Sequence, residues 1–375
     1  MKVLLYSHVF PPSTGGVETV SLALAEGFAQ RGVECKVLTR TPAEADTAYP
    51  FEVIRNADTA RAKALVQWAD VVLFNGASLA LQPWVLLSGK PFLWVHVGYQ
   101  ASCIDGLGWV DGKPAPLTPW ASVKFHAQRE GWRRATTEGL KLMLRRFVAR
   151  RLVTRNIAIT QWMDSAQPLP RQVQIYNPFP IDRFHSPGRV REREFDFVYL
   201  GRLVSEKGVE TLIRAFAKAV ARSTTKRPRL LVIGDGERRE ELVQLAQSLS
   251  IESDVHFAGK QTGAALVDWV HKGRIGIVPS VWFEPMGGVA IELMAAGISL
   301  IVSQHGGLAE CAGDAGLTFP NGDADALAEC MLRLLSDPEL ERSLAQRAQD
   351  RAKSFMPDIF VDQYIELLRK VARSA

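Results

Sequence analysis

Short apolar and β-branched runs alternate with longer stretches whose apolar positions recur every three or four residues. The runs Lys2 to Ser7, Val33 to Thr39, Phe51 to Ile54, Val71 to Phe74 and Phe92 to His96 predict strands. Between them lie helical patterns from about Val17 to Gln30 and from Thr59 to Ala69. In the first of these, Val17, Val20, Leu24 and Phe28 fall at i, i+3, i+7 and i+11, a spacing that predicts one buried face. Strands separated by helices imply crossover connections, hence a parallel sheet with helices on its faces. A long helical stretch is expected from about Ala121 to Arg155, and Asn156 to Thr160 returns to strand.

The segment Asn177 to Gly188 breaks this rhythm with Pro178, Pro180, Pro187 and a terminal glycine, and it predicts a linker. Alternation restarts at Phe195 to Leu200 and supplies strands at Arg229 to Gly234, Val255 to Ala258, Ile275 to Val278 and Ser299 to Ser303. Asp323 to Ser354 reads as helix interrupted at Pro338. Beyond Pro357, Val361, Tyr364, Ile365 and Leu368 form an apolar stripe suited to packing back on the first domain. With 375 residues the chain is too long for one ordinary core. The expected fold is α/β, two doubly wound Rossmann-like domains facing across a cleft. They span residues 1–180, joined by the helix 357–375, and residues 181–356. In such sheets ligands sit at the C-terminal strand ends, where the glycine-rich loops of this chain fall.

Composition narrows the class. An apolar fraction of 47% with 23% charged residues is that of a soluble enzyme, and no apolar run approaches the roughly 18 residues of a membrane span. Met1 to Tyr6 is too short for a signal peptide and reads as a strand, so a cytoplasmic protein is expected. Cys35, Cys103, Cys311 and Cys330 form no paired motif, and Cys35 and Cys330 are expected in the core. The histidines show no metal-ligand spacing, so neither metal nor cofactor is expected. The net charge of +5 is concentrated, since residues 111–155 hold eleven Lys or Arg against Asp111, Glu130 and Glu138. That segment alone carries 11 − 3 = +8, and the rest about −3.

The most informative stretch is Pro279 to Glu292. Glu284 and Glu292 flank Gly287 and Gly288 where an apolar strand gives way to a helix. A helix starting at paired glycines offers unpaired N–H groups and positive dipole charge to an anion. The two carboxylates then suit hydroxyl groups on either side, sugar and ribose. The plainer alternatives are a helix cap for Glu284 and a solvated helix position for Glu292. Gly15 and Gly16 open the first helix after Pro11 to Thr14, in a phosphate-approach loop or simply a tight turn. Gly201 and Arg202, followed by Lys207, place two cations at a strand end, able to clamp a diphosphate or to remain surface charges. Gly234 to Glu237 forms a further sharp turn, and His96 ends a strand, where it could bond a substrate hydroxyl or serve structure alone.

Taken in order, these loops resemble the retaining glycosyltransferases of family 4, whose architecture is GT-B. The matching elements are Gly15-Gly16-Val17-Glu18, His96, Asn177-Pro178 with Asp182 and Phe184, Gly201-Arg202 with Lys207-Gly208, and Gly234-Asp235-Gly236. Phe257-Ala258-Gly259, Pro279-Ser280, the segment Glu284 to Glu292, and Gly306-Gly307-Leu308 with Glu310 complete the series. The resemblance implies that the second domain binds a nucleotide-diphosphate sugar and the first an acceptor. Arg202 and Lys207 would hold the diphosphate, Glu292 the ribose, and Glu284 the transferred sugar. Backbone groups of Met286, Gly287 and Gly288 would contact sugar and phosphate, with Gly16 approaching from the first domain, His96 beside the reacting carbon, and groups near Lys260 reading the base. Two departures stand out. Val97 follows His96 where the family often has aspartate, and Met286-Gly287-Gly288 replaces the frequent Phe-Gly-Leu, implying a wider sugar pocket.

The function so implied is transfer of a sugar, with retention and without metal, to a lipid-linked or cell-surface glycan precursor. Competing readings are a nucleotide-sugar epimerase or hydrolase of the same architecture and a non-catalytic binding scaffold. A dehydrogenase is disfavoured because Gly15-Gly16 lacks the dinucleotide spacing. In the basic segment 113–155, cations interleave with Trp120, Phe125, Trp132, Leu140 and Phe147, which suits an anionic membrane surface or a solvated helix. No recognised nucleic-acid module accompanies the charge. A cytoplasmic enzyme, peripheral at the inner face of the membrane, is the resulting expectation.

Overall fold

The computed structural model describes residues 1–43, 48–78, 80–185, 193–223 and 226–373. Ser186, Pro187 and Gly188, the end of the proline-rich linker, lie outside the described residues. The chain divides into two compact units. One comprises Met1–Val110, Pro114–Pro180 and Phe355–Ala375, and the other Asp111–Lys113 and Ile181–Ser354.

The first unit is built on a seven-stranded sheet. Its strands lie in the order Glu52–Arg55, Glu34–Thr39, Lys2–Ser7, Val71–Asn75, Phe92–His96, Arg155–Ala158 and Gln172–Gln174, with parallel pairings. Val3, Leu4, Leu5, Val71, Val72 and Leu73 are wholly buried, as parallel strands covered on both faces require. The helix Gly16–Gln30 buries Val20, Leu24 and Phe28, while Val17 is half-buried. The helix Pro357–Arg373 also belongs to this unit. It buries Phe360, Val361, Tyr364, Ile365 and Leu368, with Tyr176 packed edge-on to Phe355 and Phe360. Arg31 adds ion pairs to Asp358 at 2.8 Å and Asp362 at 2.5 Å.

The second unit has a six-stranded parallel sheet in the order Val255–Gly259, Leu230–Ile233, Phe195–Leu200, Gly273–Val278, Ser299–Ser303 and Gly316–Phe319. Its core gathers Phe197, Phe216, Ile275, Ile301, Phe319 and Met331. In both units the strand that opens the chain's run lies mid-sheet, with earlier-numbered strands on one side and later ones on the other. The order therefore reverses between Lys2–Ser7 and Val71–Asn75, and again between Phe195–Leu200 and Gly273–Val278. Loops leaving the C-terminal ends at such a reversal diverge and leave room for a ligand.

Several expectations need correction. The long helical stretch expected from about Ala121 to Arg155 is three pieces, Pro119–Glu130, Trp132–Phe147 and a π-helical turn Val148–Leu152. Gly131 divides the first two with φ 87°, a conformation that side-chain-bearing residues seldom adopt. The strands Gln172–Gln174 and Gly316–Phe319 and the helices Gln82–Ser88 and Gln161–Ala166 were not anticipated, because three to seven residues hold too little periodicity. Cys35, Cys103 and Cys311 are buried, whereas Cys330 is only half-buried. Among the described residues no helix is long and apolar enough to cross a membrane.

Candidate functional site

At the reversal point of the second unit, the loop after Phe195–Leu200 meets the loop after Gly273–Val278. The first carries Gly201, Arg202 and a 3-10 turn Ser205–Lys207, and it passes into the helix Val209–Arg222 through Gly208. Gly208 has φ +68°, and a Cβ there would stand 2.0 Å from the carbonyl oxygen of Pro279, so the two loops touch only because this residue is glycine. Val281 N–H donates to the Glu206 carbonyl at 3.0 Å, tying the loops together a second time.

This docking brings Lys207 to Glu284. Lys207 Nζ lies 2.6 Å from Glu284 Oε1, with side chains 17% and 10% exposed. Ser280 Oγ donates to the other carboxylate oxygen at 2.5 Å. The backbone of Glu284 is held as firmly, its N–H donating to the Trp282 carbonyl and its own carbonyl accepting from Gly307 N–H at 2.7 Å. A carboxylate has about four acceptor positions, so two remain for hydroxyl donors. Glu284 is thus no simple helix cap. The helix Gly288–Ala295 begins with Gly287 as N-cap and receives no side-chain cap. Its first-turn donors meet the requirement for an anion site, and Met286 beside them is buried.

Glu292 lies inside that helix, and its partner is a residue the sequence reading did not single out. Arg183, in the 3-10 turn Asp182–Phe184, places a guanidinium nitrogen 2.8 Å from Glu292 Oε1. The Glu292 side chain is 12% exposed, against 41% for Arg183. Burial raises the Glu292 carboxyl pKa, and Arg183 opposes that shift. The carboxylate is not the solvated helix residue of the plainer reading. Arg183 also stacks its guanidinium over the Phe184 ring at 4.8 Å, and Phe184 is wholly buried, which fixes the turn. A cation 109 positions from its partner in a proline-rich linker leaves no sequence signal beyond its charge.

Arg202 is more open, its side chain 66% exposed and 3.3 Å from Glu206. Its carbonyl accepts from the buried Tyr199 hydroxyl at 2.9 Å, fixing the loop while leaving the guanidinium at the surface. Gly234 follows the neighbouring strand and donates its N–H to the Gly259 carbonyl, just before the exposed Lys260. Trp282, also missed, is 9% exposed, and its buried indole N–H has no partner, while Lys207 Nζ sits 5.8 Å from the ring centroid. A buried donor without an acceptor, beside an ion pair, suits an oxygen-rich ligand.

In the first unit, Gly15 is the N-cap of Gly16–Gln30 at the other reversal point, in extended backbone. Nothing lies within 4 Å of a Cβ built on Gly16. Beneath the loop, Asn75 donates to Ser21 Oγ at 2.7 Å, and Ser21 donates to Ser7 Oγ at 2.8 Å, a buried chain joining two strands to the helix start. His96 is 2% exposed and stacks on Trp94 at 4.9 Å. Its Nε2 lies 2.8 Å from Asn156 Oδ1. Because the Asn156 amide donates to the Ala149 and Pro170 carbonyls, its Oδ1 must accept, so His96 Nε2 carries the hydrogen. Burial lowers the His96 pKa to about 4, only partly offset by Asn156. The ring is neutral near pH 7, with Nδ1 left as an acceptor. Among the described residues no group of three or more His, Cys, Asp or Glu is placed to hold a metal ion.

Residues 180–351 match the family model described as Glycosyl transferases group 1. N-acetyl-alpha-D-glucosaminyl L-malate synthase of Bacillus anthracis is 31% identical over 187 residues, 49% of this chain and 48% of that protein. The matched stretches span less than half the length of such curated relatives. In structure, the sucrose-phosphate synthase of Thermosynechococcus elongatus superposes with TM-score 0.76 at 20% identity, covering 100% of both chains. HepE of Anabaena, solved in complex with UDP, gives TM-score 0.74 at 20% identity over 98% of each. The fold is GT-B, with two Rossmann-like domains.

Proposed function

We propose that this chain is a retaining glycosyltransferase that moves a sugar from a nucleotide-diphosphate sugar to the hydroxyl of a lipid-linked or cell-surface glycan precursor. The observation that carries the proposal is the docking of Lys207 on Glu284 at the reversal point of the second sheet. It sets a cation, an oriented carboxylate and an uncapped helix start side by side, in the part of the chain that matches the group 1 model. HepE, solved also with UDP-glucose, supports a uridine nucleotide sugar as the first donor to test.

In the proposed reaction the bond between the anomeric carbon and the leaving diphosphate oxygen breaks. The acceptor oxygen forms its bond on the same face, and its proton passes to a phosphate oxygen. Charge builds on the leaving group, where Lys207, Arg202 and the N–H groups around Gly287 and Gly288 neutralise it. These groups supply that stabilisation without a metal. Glu292, oriented by Arg183, takes the ribose hydroxyls, and Glu284 those of the transferred sugar. Neutral His96 accepts a sugar hydroxyl through Nδ1. The second unit thus holds the donor and the first the acceptor, with the enzyme working at the inner face of the membrane.

Arg202 is the direct test of turnover, because its side chain is 66% exposed and its removal leaves Glu206, 13% exposed, with the Ser205 hydroxyl as donor. Arg202→Ala is expected to lower turnover about a hundredfold. Glu292→Ala is expected to weaken donor binding by about 1.5–3 kcal/mol, the range for hydrogen bonds to charged groups. A thermal-shift screen of nucleotide sugars on the wild-type chain comes first, since stabilisation by a bound ligand reports base and sugar together. Absence of stabilisation by any nucleotide sugar, or equal stabilisation of the Glu292→Ala variant, would overturn the donor site.

A further inference from the structure

Eight large apolar side chains stand exposed among the described residues, and Trp120, Trp132, Leu140, Leu144 and Phe147 are five of them. They are 53–80% exposed and belong to the two helices either side of Gly131. Helix Trp132–Phe147 carries two apolar stripes. Ala135, Gly139 and Leu142 form one at i, i+4 and i+7, and it is buried. Trp132, Thr136, Leu140 and Phe147 form the other at i, i+4, i+8 and i+15, turned toward solvent with Leu144 beside it and Met143 half-buried at its edge. Thr136 does not interrupt this second stripe, because its hydroxyl donates back to the Trp132 and Arg133 carbonyls at 2.9 Å. Folding accounts for the first stripe only. Among the described residues nothing covers the second.

Charge selects the occupant. Residues 119–151 carry nine Lys or Arg against Glu130 and Glu138, and around the helix Arg133 falls between Leu140 and Leu144, with Lys141 past Leu144. Self-association through this face in a twofold dimer would set like charges against each other, which disfavours a second copy. An anionic bilayer instead offers phosphates to the cations, acyl chains to Leu140, Leu144 and Phe147, and the headgroup boundary to the tryptophans. We infer that the outward stripe of Trp132–Phe147, with Trp120, is an in-plane membrane-docking surface selective for anionic lipid. This surface deepens the proposed membrane-side acceptor role, but it stands on exposure and charge rather than on the donor site.

Co-sedimentation of the full chain with vesicles tests it, using phosphatidylcholine alone and phosphatidylcholine mixed with phosphatidylglycerol. The wild-type chain is expected to bind the mixed vesicles at least about tenfold more tightly. Leu140→Ser, Leu144→Ser and Phe147→Ser combined should reduce that binding about tenfold or more with an unchanged melting temperature. Arg133→Gln and Lys141→Gln combined should reduce the preference for phosphatidylglycerol. Equal sedimentation of the wild type and the serine variant would overturn the proposal, as would a wild type that stays in the supernatant with both vesicles. Light scattering that finds a wild-type dimer split by the serine substitutions would overturn it too, assigning the face to self-association. The thermal shift caused by a nucleotide sugar provides a separate readout, so failure of the docking surface and failure of the donor site remain distinguishable.

Discussion

His96 shows how burial decides what one side chain can do. Its Nε2 is committed to Asn156 and its pKa is depressed to about 4, so it enters any reaction near neutrality as an uncharged acceptor. The same shift makes stability depend on pH. The unfolded chain takes up a proton near pH 6.5 that the folded ring excludes until about pH 4, so this contribution is complete above pH 6.5 and lost as pH falls. Between pH 7 and 5.5 the wild type is expected to lose about 1 kcal/mol through this residue. His96→Gln should lose that much less over the same interval in urea titrations. Identical pH dependence in the two proteins would mean that His96 titrates normally. The residue types of the candidate site are legible in sequence, because Glu284, Glu292, Arg202 and Lys207 follow strands and glycines in a recognisable order. Their partnerships are not. Lys207 with Glu284, and Arg183 with Glu292, join positions 77 and 109 apart, and only the folded sheet reveals the pairing.

Among the elements, the strands that carry the site were readable because fully buried parallel strands are continuous apolar runs, with ends displaced by a residue or two. The basic segment reads in sequence as a continuous helical stretch because Lys, Arg and Leu favour helix on both sides of Gly131, whose positive φ leaves no trace in the periodicity. The loops between elements hold glycines packed against backbone and glycines that face open space, and the two kinds predict opposite outcomes. At Gly208 an added methyl would collide with the Pro279 carbonyl at φ +68°, so Gly208→Ala should cost about 1–3 kcal/mol of stability and loosen the Lys207–Glu284 contact. At Gly16 a methyl meets nothing, so Gly16→Ala should melt like the wild type. It should nevertheless lose turnover if a phosphate approaches the start of Gly16–Gln30. Melting curves and donor turnover measured on both variants check the pair. Loss of stability in Gly16→Ala, or wild-type turnover in it, would remove that loop from the proposed site.

At the scale of the whole molecule, chain order and spatial membership disagree at the C-terminus. Residues 338–352 form a helix of the second unit, yet the next helix, Pro357–Arg373, belongs to the first. Its buried face supplies Phe360, Val361, Tyr364, Ile365, Leu368 and Val371 to that unit, reinforced by the Arg31 pairs with Asp358 and Asp362. Each large apolar side chain so buried contributes roughly 1.5–3 kcal/mol, so the helix supplies an amount comparable to the net stability of a typical domain. Ending the chain after Ser354 should therefore unfold the first unit, although the residues removed adjoin the second in sequence. The second unit keeps its own core, from Phe197 and Phe216 to Leu344, and every residue of the Lys207–Glu284 and Arg183–Glu292 pairs. Calorimetry of the truncated chain should show one cooperative transition in place of the full-length pattern, and that transition should still rise when a nucleotide sugar is added. Retention of the full-length melting profile would show that the terminal helix is dispensable to the first unit. Loss of the ligand-induced rise would place part of the donor site in the unit that has unfolded.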